Sequence, residues 1–198
     1  MNLANKLTIF RIILVPIMII VTFFEFSGEF LGIPIIAWIL NIIFIIASIT
    51  DKLDGYIARS RNQITTFGKF LDPIADKVLV ITAMIILVEF GKLPAWIPTI
   101  IVFREFIVSG YRLIAVENGG KVIAASIWGK LKTVTQMIAI IVAFIDNNAF
   151  GALFSTNLTG YELIINGITT SMMVICVIAT IFSGIDYIKN GKDLFKDM

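Results

Sequence analysis

The chain has 198 residues, 58% hydrophobic and 15% charged, with a mean hydropathy of +0.95. Soluble domains average roughly 45–50% apolar and about 25% charged. An ordinary water-soluble fold is therefore excluded; at about 20 residues per span the length holds roughly five to seven transmembrane helices and no sizeable extramembrane domain. The net charge of +2 is too small for a nucleic-acid partner. The absence of histidine excludes a His general base, a Ser-His-Asp triad and a His-ligated metal.

Lys6 and Arg11 precede the apolar stretch 12–24 in the manner of a signal peptide. No small-residue cleavage site follows and further apolar segments do, so the first span, over 7–24 with Pro16 inside it, is expected to be retained. Further spans are expected over 33–57, 66–90, 94–116, 122–145 and 163–188, separated by Ser27-Gly28, Gly91 before Pro94, Asn118-Gly119-Gly120 and Asp146-Asn147-Asn148. This predicts an all-α integral membrane protein of six transmembrane helices in one domain, 1–198. The lone cysteine, Cys176, sits in an apolar run and reads as a small buried hydrophobe. Orientation follows from the basic residues. With the N-terminus inside, Lys6, Arg11, Arg59, Arg61, Lys69, Arg112, Lys121, Lys130, Lys132, Lys189, Lys192 and Lys196 share one side, against Lys92 on the other. Both termini are therefore expected on the cytoplasmic side of the cell membrane.

Four carboxylates do not belong in such a chain. Asp51, Asp54, Asp72 and Asp76 lie in the second and third apolar stretches, where insertion of an ionised side chain costs at least about 2.5–3.5 kcal/mol. Asp51 and Asp54 are i,i+3 and Asp72 and Asp76 are i,i+4, so each pair occupies one helix face. The polar stretch Arg59-Ser60-Arg61-Asn62-Gln63 is where the two helices turn, and an antiparallel hairpin brings both pairs to similar depth. Converging carboxylates repel unless cations separate them, and an all-oxygen donor set suits Mg²⁺, Mn²⁺ or Ca²⁺. Four are enough for two ions, an arrangement used in phosphoryl transfer. Gly55, Ala58 and Gly68 leave room beside them for a substrate or a neighbouring helix.

Written out, the stretch is Asp51-x-x-Asp54-Gly55-x-x-Ala58-Arg59 followed by Gly68-x-x-x-Asp72-x-x-x-Asp76. It resembles, at every position, the signature of the CDP-alcohol phosphotransferase family. The resemblance implies a six-helix membrane enzyme, usually a homodimer, that breaks the pyrophosphate of a CDP-linked lipid and passes its phosphatidyl group to an alcohol, releasing CMP. It implies two divalent ions, Mg²⁺ or Mn²⁺, on Asp51, Asp54, Asp72 and Asp76, with Asp76 as general base. It further implies CDP-lipid contacts from Asp54, Gly55, Ala58, Arg59, Thr65 and Gly68, and from Asn5 and Thr8 in the first helix.

The resemblance extends, through 67–77, Arg104-Glu105, Arg112 and 126–133, to the branch of the family that uses sn-glycerol 3-phosphate as acceptor. Charge points the same way, since a phosphorylated acceptor needs fixed cations. Arg104 lies inside the fourth span with Arg112 two turns on, and Lys130 and Lys132 open the fifth. These four are the candidate acceptor-phosphate residues. An intramembrane arginine needs a partner, here Glu105 or a substrate phosphate, and positive-inside anchoring is the plainer reading of the two lysines. Rival readings are the same chemistry with phosphatidylglycerol, serine or inositol phosphate as acceptor and, more remotely, a cation transporter. The first set leaves Arg104 and Arg112 less well explained, and the second does not require Arg59, Thr65 or the glycine spacing.

Overall fold

In water, a helix buries its apolar stripe; here the first and last helices bury polar groups and turn many of their branched aliphatics outward. On the first helix Thr8, Arg11, Val15 and Met18 are buried while Ile13, Ile17 and Ile20 are exposed. On the last, Asn166, Thr169, Thr170, Thr180 and Ser183 are buried while Ile164, Ile168, Ile175, Ile178 and Ile185 face outward. Polar groups inside and branched aliphatics outside are the arrangement a lipid solvent selects.

The computed structural model describes residues 3–60, 66–117 and 127–190, with the side chains of 3, 4, 52, 54–60, 66, 67, 69, 116, 117 and 190 outside the description. It is helical: α1 (Leu3–Thr22), α2 (Ile35–Ser60), α3 (Thr66–Glu89), α4 (Trp96–Glu117), α5 (Ile127–Ile145) and α6 (Gly160–Asn190). The expected spans overlap these helices in order, and Cys176 is buried as expected. Among the described residues three stretches are long and apolar enough to cross a membrane, Asn5–Thr22, Ile127–Ile145 and Gly160–Lys189, with a shorter apolar run at Ile35–Asp51. The chain is thus a multi-pass membrane protein. Additions to the all-α expectation are small: a hairpin of β1 (Glu29–Phe30) and β2 (Ile33–Pro34), and a 3₁₀ turn at Ala152–Phe154. The hairpin turns on Leu31 (φ 56°) and Gly32 (φ 72°), the paired positive φ values of a two-residue turn that matches strand twist.

The chain divides into two compact units, residues 1–93 with 140–149, and 94–139 with 150–198. In the first, α1 packs along both α2 and α3. Its core gathers Met18, Leu40, Phe44, Ala47, Ala75, Leu79, Met84 and Leu87 with Phe144 from the end of α5, the Phe44 and Phe144 rings lying 6.3 Å apart. In the second, α4 packs on α6, and Trp128 of α5 stacks on Phe182 at 5.0 Å.

Helix α3 stops at a glycine cap. Gly91 has φ 69°, and Lys92 N donates to Leu87 O at 2.9 Å while Gly91 N donates to Val88 O at 3.0 Å, closing the last carbonyls as in a Schellman motif. That cap places Lys92 against a second helix end, where its Nζ donates to Phe144 O at 2.7 Å. The ammonium thus satisfies a terminal carbonyl of α5 and opposes its dipole. Burial lowers the Lys92 pKa from 10.5 to about 8, with the nearby Asp146 carboxylate acting in the opposite sense. Below pH 8 the folded chain holds a desolvated charge; between about 8 and 10.5 the unfolded chain binds more protons, so this group's contribution to stability rises with pH. Unfolding midpoints in detergent, wild type against Lys92→Met, are expected to show the wild type gaining relative stability from pH 8 towards 10.5. A pH-independent difference would contradict the assignment.

Candidate active site

Five described side chains of the first unit meet across α1, α2 and α3. Thr8 and Arg11 are i,i+3 on α1, and Asp72 and Asp76 are i,i+4 on α3, so each helix offers one polar face of two rungs. Thr8 Oγ1 donates to Asp72 Oδ1 at 2.7 Å. Arg11 Nη1 donates to Asp76 Oδ1, and the same nitrogen lies 3.0 Å from Asp51 Oδ1 on α2. Both rungs advance in the same chain direction, which sets α1 and α3 parallel in this unit.

Burial is unequal. The Arg11 side chain is fully buried, whereas those of Asp51 and Asp76 are 36% and 47% exposed. The guanidinium therefore forms the floor and the carboxylates the open side of the site. A desolvated guanidinium is tolerable only when paired, and here one nitrogen serves carboxylates from two helices. Asn5 and Gly68 are buried nearby in sequence, on α1 and α3. Asp54, Gly55, Ala58 and Arg59 lie on the helical backbone of α2 with side chains outside the description, and Thr65 lies outside the described residues.

Among the described residues no group of three or more acidic or cysteine side chains is gathered closely enough to hold a metal ion by itself. Asp54 is outside that set. The donor chemistry nevertheless fits a hard divalent ion: Asp51, Asp72 and Asp76 present only oxygen, and a cationic nitrogen already bridges two of them.

The second unit holds a positive set. Arg104 Nη1 donates to Glu105 Oε1 at 2.9 Å, and Lys132 Nζ donates to the same oxygen at 2.7 Å. Arg104 Nη2 donates to Ser183 Oγ, and Arg112 Nη2 donates to Tyr187 Oη at 2.7 Å. Of the four candidate acceptor residues, Arg104 and Lys132 are joined through Glu105, and Arg112 and Arg104 through α6. Lys130 is exposed on α5 and stands outside these contacts.

In the sequence Arg11 reads only as a flanking and orientation-setting charge. The signal was present: an arginine inside an apolar helix, three residues from Thr8, needs a partner. Ser183 and Tyr187 sit four apart near the end of a long apolar run, where such residues look like ordinary packing and interfacial anchoring.

Residues 1–182 match the CDP-alcohol phosphatidyltransferase family. The chain is 40% identical over 200 residues to the CDP-diacylglycerol--glycerol-3-phosphate 3-phosphatidyltransferase of Bacillus subtilis strain 168, covering 98% of this chain and 97% of that protein. It is 38% identical to the Haemophilus influenzae protein of the same name, covering 99% and 96%, and 37% identical to a probable phosphatidylglycerophosphate synthase of Mycobacterium tuberculosis, covering 94% and 80%. The chain belongs to the CDP-alcohol phosphatidyltransferase family and is a phosphotransferase. Divalent metals are general in that family.

Arg11→Met removes the cation and leaves two carboxylates facing each other. Breaking a buried pair costs about 3–5 kcal/mol, and the exposure of the two aspartates reduces this to about 2 kcal/mol. The unfolding midpoint in detergent with a chelator is expected to fall for Arg11→Met and to fall less for Arg11→Lys. An unchanged midpoint in both would contradict the bridging role.

Proposed function

We infer that the chain transfers the phosphatidyl group of CDP-diacylglycerol to sn-glycerol 3-phosphate, giving phosphatidylglycerophosphate and CMP. The observation that carries this is the match, over nearly the whole length of both chains, to relatives named for that reaction. The residues gathered in each unit suit the chemistry. The first unit's carboxylates suit a metal-assisted attack on phosphorus, and the second unit's cations suit a phosphorylated acceptor.

Asp51, Asp54, Asp72 and Asp76 hold two divalent ions, Mg²⁺ or Mn²⁺. When bound, these neutralise the pyrophosphate and favour charge build-up on the departing phosphate. Asn5, Thr8, Asp54, Gly55, Ala58, Arg59, Thr65 and Gly68 hold the CDP-lipid. Thr8, whose hydroxyl donates to Asp72, also fixes the orientation of a ligand carboxylate. Asp76 takes the proton from the acceptor hydroxyl as its oxygen bonds to the phosphatidyl phosphorus. The bond from that phosphorus to the bridging oxygen breaks, and CMP departs with the electron pair. Arg11 holds the Asp51 and Asp76 carboxylates in position through its ion pairs with both. Arg104, Arg112, Lys130 and Lys132 hold the acceptor phosphate.

The six helices act as six spans of one domain, since the family match runs through both units without a break. The chain works as a homodimer in the cell membrane, in contact with membrane lipids, with both termini and the site on the cytoplasmic side. The bias of lysine and arginine supports that orientation.

The test is an acceptor screen with purified chain, CDP-diacylglycerol and Mg²⁺ or Mn²⁺, scored by CMP release. Glycerol 3-phosphate is expected to support turnover and serine, inositol phosphate and phosphatidylglycerol are not. Asp76→Asn is expected to lower kcat by about 10²–10⁴ while nucleotide binding persists. Turnover with another acceptor alone, or full activity of Asp76→Asn, would overturn the corresponding assignment.

A further inference from the structure

Two residues of helix α6 gather Arg104 and Arg112 of the second unit. Ser183 and Tyr187 are i,i+4 and share a face. Tyr187 is 2% exposed. The Arg104 guanidinium carbon lies 5.8 Å and that of Arg112 5.5 Å from the centre of its ring, both within the range where a cation is attracted to an aromatic face. Arg112 also donates to the phenol oxygen, and Arg104 to Ser183. Arg104 and Arg112 are eight residues apart, about 12 Å along α4. Without a common anchor, two long side chains at that spacing have no reason to converge.

The convergence is unfavourable by itself, because it brings like charges around one ring. Among the side chains joined by these contacts, Arg104, Arg112 and Lys132 carry three positive charges, and Glu105 carries one negative charge. Two positive charges are left over, matching a phosphate monoester dianion. Arg104 Nε is also buried without a hydrogen-bond partner among the described residues, a donor in the middle of the set for which a ligand oxygen is the natural acceptor.

We propose that Tyr187 is a positioning residue for the acceptor: its ring and hydroxyl hold Arg104 and Arg112 together so that they take the phosphate of a phosphorylated alcohol. Glu105 does the complementary work, aligning Arg104 with Lys132 while cancelling only one of their charges. Discrimination for phosphorylated over neutral acceptors then depends on α6 as well as on the arginines. This inference rests on the acceptor reading given above, and its test separates the two.

KM for glycerol 3-phosphate, KM for CDP-diacylglycerol and kcat are measured for the full chain in detergent as wild type, Tyr187→Leu, Tyr187→Phe and Arg112→Ala. Tyr187→Leu, which loses ring and hydroxyl, is expected to raise the KM for glycerol 3-phosphate about tenfold with the KM for the CDP-lipid unchanged. Tyr187→Phe retains the ring and is expected to raise it about threefold. Arg112→Ala reports on the acceptor reading, and no rise there overturns that reading and this inference together. A rise in Arg112→Ala with none in the Tyr187 variants overturns the positioning role alone, as does an equal rise in both KM values or a loss confined to kcat. If Tyr187→Leu does not fold, the Phe variant decides: an unchanged KM for glycerol 3-phosphate overturns the role.

Discussion

A guanidinium sealed inside a bundle whose outer face is aliphatic is costly to insert unless partner groups, best of all anionic ones, meet it. Arg11 meets that condition with two carboxylates from two other helices, and much of the first unit follows from it. It fixes the rotation of α1, because the face bearing Arg11 has to point at α2 and α3. It fixes the register of α1 on α3, because Thr8 then falls opposite Asp72. It draws Asp51 and Asp76, distant in sequence, to one nitrogen. The aspartates are thereby assembled before any ligand arrives, with their open edges toward solvent and their charge partly offset from below.

The second unit solves the opposite electrostatic problem by similar means. Positive side chains converge there, and neutral or singly charged neighbours hold them: a tyrosine ring, a serine hydroxyl and one glutamate. The compensation is incomplete in both cases. Of three described carboxylates in the first unit one arginine bridges two, and of three cations in the second one glutamate bonds two. A structural ion-pair network tends towards balance, whereas a site for charged ligands keeps a residue of one sign in reserve. Under the proposed function, the first set takes cations and the second takes an anion.

Much of this was legible from residue order. The six long helices follow apolar runs whose breaks, Ser27-Gly28 and Gly91 before Pro94, carry their own turn chemistry. The aspartates stand out because membrane cost makes their presence informative. Pairing was harder to read. Arg11 sits among basic residues that also set orientation, so its charge had a sufficient explanation without a partner on α3, 65 residues away. Tyr187 is 75 residues from Arg112, and a tyrosine ending an apolar helix has an equally ordinary interfacial role. The hairpin at 29–34 escaped because the first of its two positive-φ turn positions is Leu31 rather than an asparagine, aspartate or glycine. In each case the missing term was a contact between segments distant in the chain, which local spacing does not encode.

The proposed function makes the carboxylates arranged around Arg11 the metal-binding, catalytic centre of the enzyme. Electron paramagnetic resonance of Mn²⁺ added to the purified chain tests it without depending on turnover. Two ions per chain are expected, close enough to broaden one another's signal, with binding weakened in Asp51→Asn. Binding of fewer than two ions, or binding that Asp51→Asn leaves unchanged, would contradict it.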